Sequence, residues 1–131
     1  MTGQLNAAFL RGCHYGQELI ITWLLDNGIE IGTCDNDRQT GLHSAAIGGD
    51  LNTIKLLLER NAPLEVRNSY NGTPLGQALW SAAHGGDSDV YIPIIEALIA
   101  EGARPPERHV PVNARVDEVL ERHGSRADPA R

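Results

Sequence analysis

A block near the middle of the chain recurs at a fixed interval. Thr40-Gly41-Leu42 returns as Thr73-Pro74-Leu75 after 33 residues, and Leu24-Leu25-Asp26-Asn27-Gly28 matches Leu57-Leu58-Glu59-Arg60-Asn61 at the same shift. Gly16 falls on Gly49, Ile21 on Ile54 and Cys13 on Ala46. A period of this length implies a stack of small units, none of which buries its apolar faces alone.

The physics of one unit is legible in residues 40–62. Thr40 is a suitable N-cap, and Leu42, Ala45 and Ala46 at i, i+3 and i+4 form one apolar stripe. The alanines are small, so a second helix can come close. Gly48-Gly49 ends the helix where positive φ is cheap. Ile54, Leu57 and Leu58 supply the next stripe, and Asn61 takes its left-handed stop. Residues 63–72 have turn chemistry and lead back to Thr73, so each unit reads as two antiparallel helices joined through a hairpin-like finger.

This residue order resembles the ankyrin repeat, over roughly residues 3–103 in three units plus a partial fourth. The expected fold is mainly α, an ankyrin-type solenoid in one domain spanning 1–124. Its units are about 3–39, 40–72 and 73–103, with a truncated capping repeat at 104–124 and a frayed tail at 125–131. The cap is expected from the 22 residues between Leu98 and Leu120, 11 short of a full period. Val112, Val116, Val119 and Leu120 form its stripe, Gly124 closes it, and Glu121 stands where the second unit has Leu58.

The third unit departs from the spacing. Ser44-Ala45-Ala46-Ile47-Gly48-Gly49-Asp50 reappears as Ser81-Ala82-Ala83-His84-Gly85-Gly86-Asp87 at a shift of 37, and Leu57-Leu58 as Leu98-Ile99 at 41. Leu75, Ala78, Leu79, Ala82 and Ala83 make an unbroken helical face, which predicts a first helix about one turn longer. The second four residues are expected to enlarge the loop Gly85 to Val90, with Pro93 in the first turn of the next helix. In the first unit, Leu5, Phe9 and Cys13 form a stripe that Thr2 is placed to cap, and Trp23, aligned with Leu56, is expected in the core.

Composition narrows the function classes. The 131 residues carry 11 Lys+Arg against 17 Asp+Glu, a net charge of −6, which argues against nucleic acid as a partner. Residues 1–103 hold 5 basic and 12 acidic side chains, so a basic partner surface is favoured. The longest apolar run, Leu19 to Leu25, is too short to cross a bilayer, and no export signal opens the chain. A cytoplasmic location and a monomer are the expectations, with no cofactor.

Sites for chemistry are sparse. His14, His43, His84, Cys13 and Cys34 are the plausible soft ligands, yet no zinc-type spacing joins them. Gly85-Gly86-Asp87-Ser88-Asp89 lacks the alternating ligands and distal Glu of a calcium loop, so helix capping is expected there. No nucleophile elbow or phosphate-binding loop occurs. Cys13 sits at an alanine position and is expected to be a buried, inert thiol.

The ankyrin resemblance implies further roles. His43 would be structural, bonded to Thr40 and the loop backbone. Asp35 and Asn68 take the place of a turn-forming Asp, and Arg38 and Asn71 that of a glycine with positive φ, which predicts a slightly irregular first finger. Gly76 replaces the motif histidine, weakening the network at Thr73. The resemblance also implies a non-catalytic protein-binding groove of finger tips and first helices. It comprises Arg11, His14 and Tyr15; Asn36, Asp37, Gln39, Ser44 and Ile47; and Ser69, Tyr70, Gln77, Trp80, Ser81 and His84. Trp80 is either an exposed anchor or packed beneath residues 85–90. Two other classes stay open: a regulatory or targeting domain of a larger, possibly enzymatic protein, and a small metal-dependent enzyme using His14, His84 and the third-unit loop.

Overall fold

In the computed structural model the described residues are 2–127, without the side chain of Thr2. Helices come in sequential pairs: α1 (Thr2–Tyr15) with α2 (Glu18–Asp26), α3 (Gly41–Gly48) with α4 (Leu51–Glu59), and α5 (Pro74–Ala83) with α6 (Ser88–Ala100). The first helices make one layer, α1 on α3 and α3 on α5, while α4 packs on α6 behind them. A last helix, α7 (Ala114–Arg122), leans on α6. Strands β1 (Arg108–His109) and β2 (Arg126–Ala127) pair in parallel, with Arg108 opposite Arg126.

Local chemistry sets these boundaries. The Thr40 and Thr73 hydroxyls accept from the amides of His43 and Gly76, and Asp50 caps α4 through the amides of Asn52 and Thr53. Leu42, Ala45 and Ala46 of α3 lie fully in the core with Ile54 and Leu57 of α4. One apolar cluster then runs without a break from Phe9 to Leu120, as stacking requires. The layers touch closely: a Cβ at Gly48 would fall on the carbonyl of His14, so only glycine lets α3 approach α1 here.

The eight extra residues of the third unit are spent differently from the spacing-based expectation. Helix α5 has 10 residues against 8 for α3, half the added turn. The other two widen the connection before Asp87, where Gly85 turns at φ 97°. The connection thus gains two residues, not the expected four, because Ser88, Asp89 and Val90 are helical and α6 runs to 13 residues against 9 for α4. Pro93 therefore lies inside α6 rather than in its first turn. The true start signal is Asp87, whose carboxylate accepts from the Asp89 amide at 2.9 Å. The longer α6 brings Tyr91 across to donate its hydroxyl to the Ile47 carbonyl at 3.0 Å, tying the third pair to the end of α3.

Other expectations are corrected too. Trp23 is 60% exposed, not core, whereas Leu56 at the aligned position is partly buried against the core. Thr2 is the first residue of α1 itself, and its capping side chain lies outside the described residues. The segment after Gly124 is not frayed at its start: Ser125 is buried and 126–127 form β2. The remainder of that predicted tail, 128–131, lies outside the described residues.

The first finger is regular rather than distorted. Asp35 Oδ1 accepts from the amides of Asp37 and Gln39, as Asn68 Oδ1 does from those of Tyr70 and Gly72. Arg38 at φ 61° matches Asn71 at φ 64°, so any strain resides in the Arg38 backbone. Arg38→Gly is expected to raise the unfolding free energy in urea titration by up to about 1 kcal/mol, because the left-handed cost outweighs glycine's entropy. Tyr91→Phe should lower stability by about 1 kcal/mol in urea titration through loss of the bond to Ile47.

Candidate protein-binding groove

The groove begins with the way each finger is fixed to the helix after it. His43, fully buried in α3, accepts the Thr40 amide at Nδ1 (3.1 Å), which leaves the proton on Nε2 to donate to the Gly72 carbonyl at 2.9 Å. One ring thus binds the cap of its own helix and the root of the next finger. Neighbouring fingers are joined as well: the Ser69 amide donates to the Asp37 carbonyl at 2.8 Å, and Asn68 Nδ2 to Gln39 Oε1 at 3.1 Å. Tyr70 at the second tip is thereby held over α5, with its side chain 76% exposed.

In the third unit the histidine position is Gly76, and space opens there. A Cβ on Gly76 would meet only Thr73 Oγ1. Gln39, Asn68, Tyr70, Gly72, Gly76, Gln77 and Trp80 surround a groove of about 420 Å³. Trp80 is 57% exposed and stacks on His84, ring centroids 4.2 Å apart and planes 15° from parallel. The His84 Nδ1 donates to the Trp80 carbonyl at 2.8 Å, which holds the pair. Packing beneath residues 85–90 is thereby excluded for this indole.

The residues singled out from the sequence do not all converge. Gln39, Tyr70, Gln77 and Trp80 share the groove, and His84 flanks it through Trp80. His14 and Tyr15 lie at the other end, edge to face at 4.6 Å, beside the Gly48–Asn52 turn. Arg11, Asn36, Asp37, Ser44, Ile47, Ser69 and Ser81 line neither of these two grooves. Sequence reasoning noted Gly76 as a lost hydrogen bond but missed the space it leaves. It also missed that residues 106–112 run alongside α5 and extend the wall.

Little here suits covalent or metal chemistry. Among the described residues no group of three His, Cys, Asp or Glu is placed to hold a metal, and His14 and His84 line different grooves. Burial pushes the Cys13 thiol up to about 12, out of the nucleophilic range, while Cys34 is exposed. No described helix is long and apolar enough to cross a membrane.

Paired helices in two layers, fingers at right intervals and a histidine joining cap to finger define a helical-repeat solenoid of the ankyrin type. A sequence model for ankyrin repeats in three copies matches residues 7–109, and the chain belongs to that family. It is 31% identical over 83 residues to Serine/threonine-protein kinase 12 of Arabidopsis thaliana, covering 63% of this chain and 16% of that protein. It is 37% identical over 62 residues to Inversin of Gallus gallus, covering 46% of this chain and 6% of that one. The chain therefore spans less than a fifth of the length of these curated relatives. The crystal structure of the human ASB11 ankyrin repeat domain matches with a TM-score of 0.64 at 24% identity, over 74% of this chain and 40% of that one. That likeness concerns the fold.

Burial lowers the pKa of His43, and protonation of Nδ1 would also break its bond to the Thr40 amide. The folded chain thus binds this proton less readily than the unfolded one. The His43 contribution is complete above the unfolded value of about 6.5 and declines as pH falls below it. Denaturant titrations from pH 7.5 to 5 should show falling stability, and His43→Gln should flatten that slope while lowering stability at pH 7.5.

Proposed function

We propose that this chain is a non-catalytic protein-interaction module whose contact surface is the groove between the fingers and α5. The observation that carries this reading is the pair of exposed aromatic rings, Tyr70 and Trp80, that line one uncharged groove on a hydrogen-bonded scaffold. Exposed aromatics on a rigid support lose little freedom on binding and dominate interface energies. Asp35 and Asp37 on the adjoining finger favour a basic partner surface. The surface is assigned to the units 3–39, 40–72, 73–103 and the closing segment 104–124. The chain acts as a cytoplasmic monomer.

A second reading rests on the relatives. The kinase and Inversin carry the matched segment as a small part of much longer proteins. On that reading the same groove serves as the targeting or regulatory part of a larger polypeptide.

Capture of partners on the immobilised chain tests the proposal. Trp80→Ala should weaken retention of the bound protein by roughly 30-fold, about 2 kcal/mol, with the melting curve unchanged. Trp23→Ala, on α2 and outside the lining of the groove, should leave it unaltered. Equal retention by native chain and Trp80→Ala contradicts the groove as contact surface.

A further inference from the structure

The chain holds two Asn-Gly steps, Asn27-Gly28 and Asn71-Gly72, and the fold treats them oppositely. Asparagine is chemically labile, and a following glycine makes it more so because no Cβ crowds the attacking amide nitrogen. The attack needs one freedom: the peptide joining the two residues must turn until its nitrogen faces the side-chain carbon. Asn71-Gly72 lacks that freedom. The Gly72 amide donates to Oδ1 of Asn68 at 2.9 Å, and Asn68 is buried. The Asn71 carbonyl accepts from Arg67 at 3.0 Å, and the Gly72 carbonyl from buried His43 and from the Asn68 amide, each at 2.9 Å. Turning this peptide strands buried polar groups.

Asn27-Gly28 is held far less. Asn27 is the exposed C-cap of α2 at ψ 18°, and its own amide bonds back into the helix. The peptide that follows it has one tie among the described residues, from the Gly28 amide to the Leu25 carbonyl at 3.3 Å. Nothing lies within 4 Å of where a Gly28 Cβ would stand, and Gly28 at φ 102° can leave that value at no steric cost. The next anchor is the Ile29 amide on the Leu24 carbonyl, so the peptide can swing between two fixed neighbours. The Asn27 side chain donates from Nδ2 to the Trp23 carbonyl at 2.8 Å, an exposed bond that water can replace.

We infer that Asn27 is a site of spontaneous deamidation in the folded chain, while the second finger keeps Asn71 inert. The Gly28 nitrogen bonds to Cγ of Asn27, and the bond from Cγ to the side-chain nitrogen breaks. That nitrogen departs as ammonia, taking the Gly28 amide proton, and a succinimide ring remains. Solvent water then opens the ring at either carbonyl, giving aspartate or isoaspartate, with no oxidant or reductant involved. Either product sets a new carboxylate beside Asp26 at the carbonyl end of α2, where the helix dipole disfavours it. Isoaspartate also adds a methylene to the backbone between Leu24 and Ile29, whose hydrogen bond closes this turn.

The test incubates the folded full chain near neutral pH in water enriched in oxygen-18, then maps it by tandem mass spectrometry. Trypsin places the two sites in separate peptides, 12–38 and 68–108. Conversion at Asn27 should run at least tenfold faster than at Asn71, with the heavy oxygen in the new carboxyl, because the locked site reacts only through opening of its finger. In denaturant the same chain should convert both sites at comparable rates. Asn68→Ala frees the Gly72 amide and should accelerate Asn71 while Asn27 keeps its rate. Should that variant unfold by circular dichroism, Arg67→Ala, which frees the Asn71 carbonyl, takes its place. The aged chain should unfold at lower urea than Asn27→Gln aged in parallel. Equal rates at the two sites in the folded chain, faster conversion at Asn71, or conversion of Asn27 only in denaturant overturns the inference.

Discussion

The histidine of α3 is the joint on which the arrangement of the fingers depends. His43 has no exposed surface, and its two ring nitrogens are committed in opposite senses, one accepting from its own helix cap and one donating to the next finger. A buried ring satisfied in this way costs little, whereas breaking either bond strands a polar group in the core. Through Gly72 it sets the root of the second finger, and through that finger it sets Tyr70. Position 76 is the same joint left unmade. There the Thr73 cap survives on one bond to the Gly76 amide, and the volume a ring would occupy becomes groove. Glycine at this position thus leaves open space in the third unit where the second unit has a buried ring.

The segment after α6 packs on the third helix pair through α7. Val116, Val119 and Leu120 bury one side of α7, while Glu121 and Arg122 face water. Polar contacts add to this apolar packing. His109 Nδ1 and Ser125 Oγ, both buried, lie 2.7 Å apart, and Asp117 accepts the Val112 amide at 3.0 Å. The parallel strands β1 and β2 close over this cluster. Residues 106–112 are consequently held alongside α5, which makes the outer wall of the groove a stable part of the fold.

Much of this was legible in the residues, and the errors have identifiable causes. The period of 33, the threonine caps, the glycine stops and the stripes fixed by Leu42, Ala45 and Ala46 are all local signals, and each has its counterpart in the structure. At the third unit the capping expected within Gly85–Asp89 is made by Asp87, while Pro93, which suits a first turn, lies further along the longer α6. Trp23 was misplaced because alignment to Leu56 ignores what flanks each unit. Of the groove, Tyr70, Gln77 and Trp80 were identifiable by position on the finger and helix. Gly76 as a space, and the wall built by residues 106–112, follow from tertiary packing that no local pattern encodes.

The central claim is that partners meet the protein beside Trp80. The two tryptophans lie on different surfaces, both exposed, and each indole N–H gives its own signal in a nitrogen–proton correlation spectrum. Titration of labelled protein with a captured partner therefore reads both surfaces at once. The account predicts that the Trp80 indole resonance moves or broadens while that of Trp23 stays in place. Movement of Trp23 with Trp80 unchanged would contradict it.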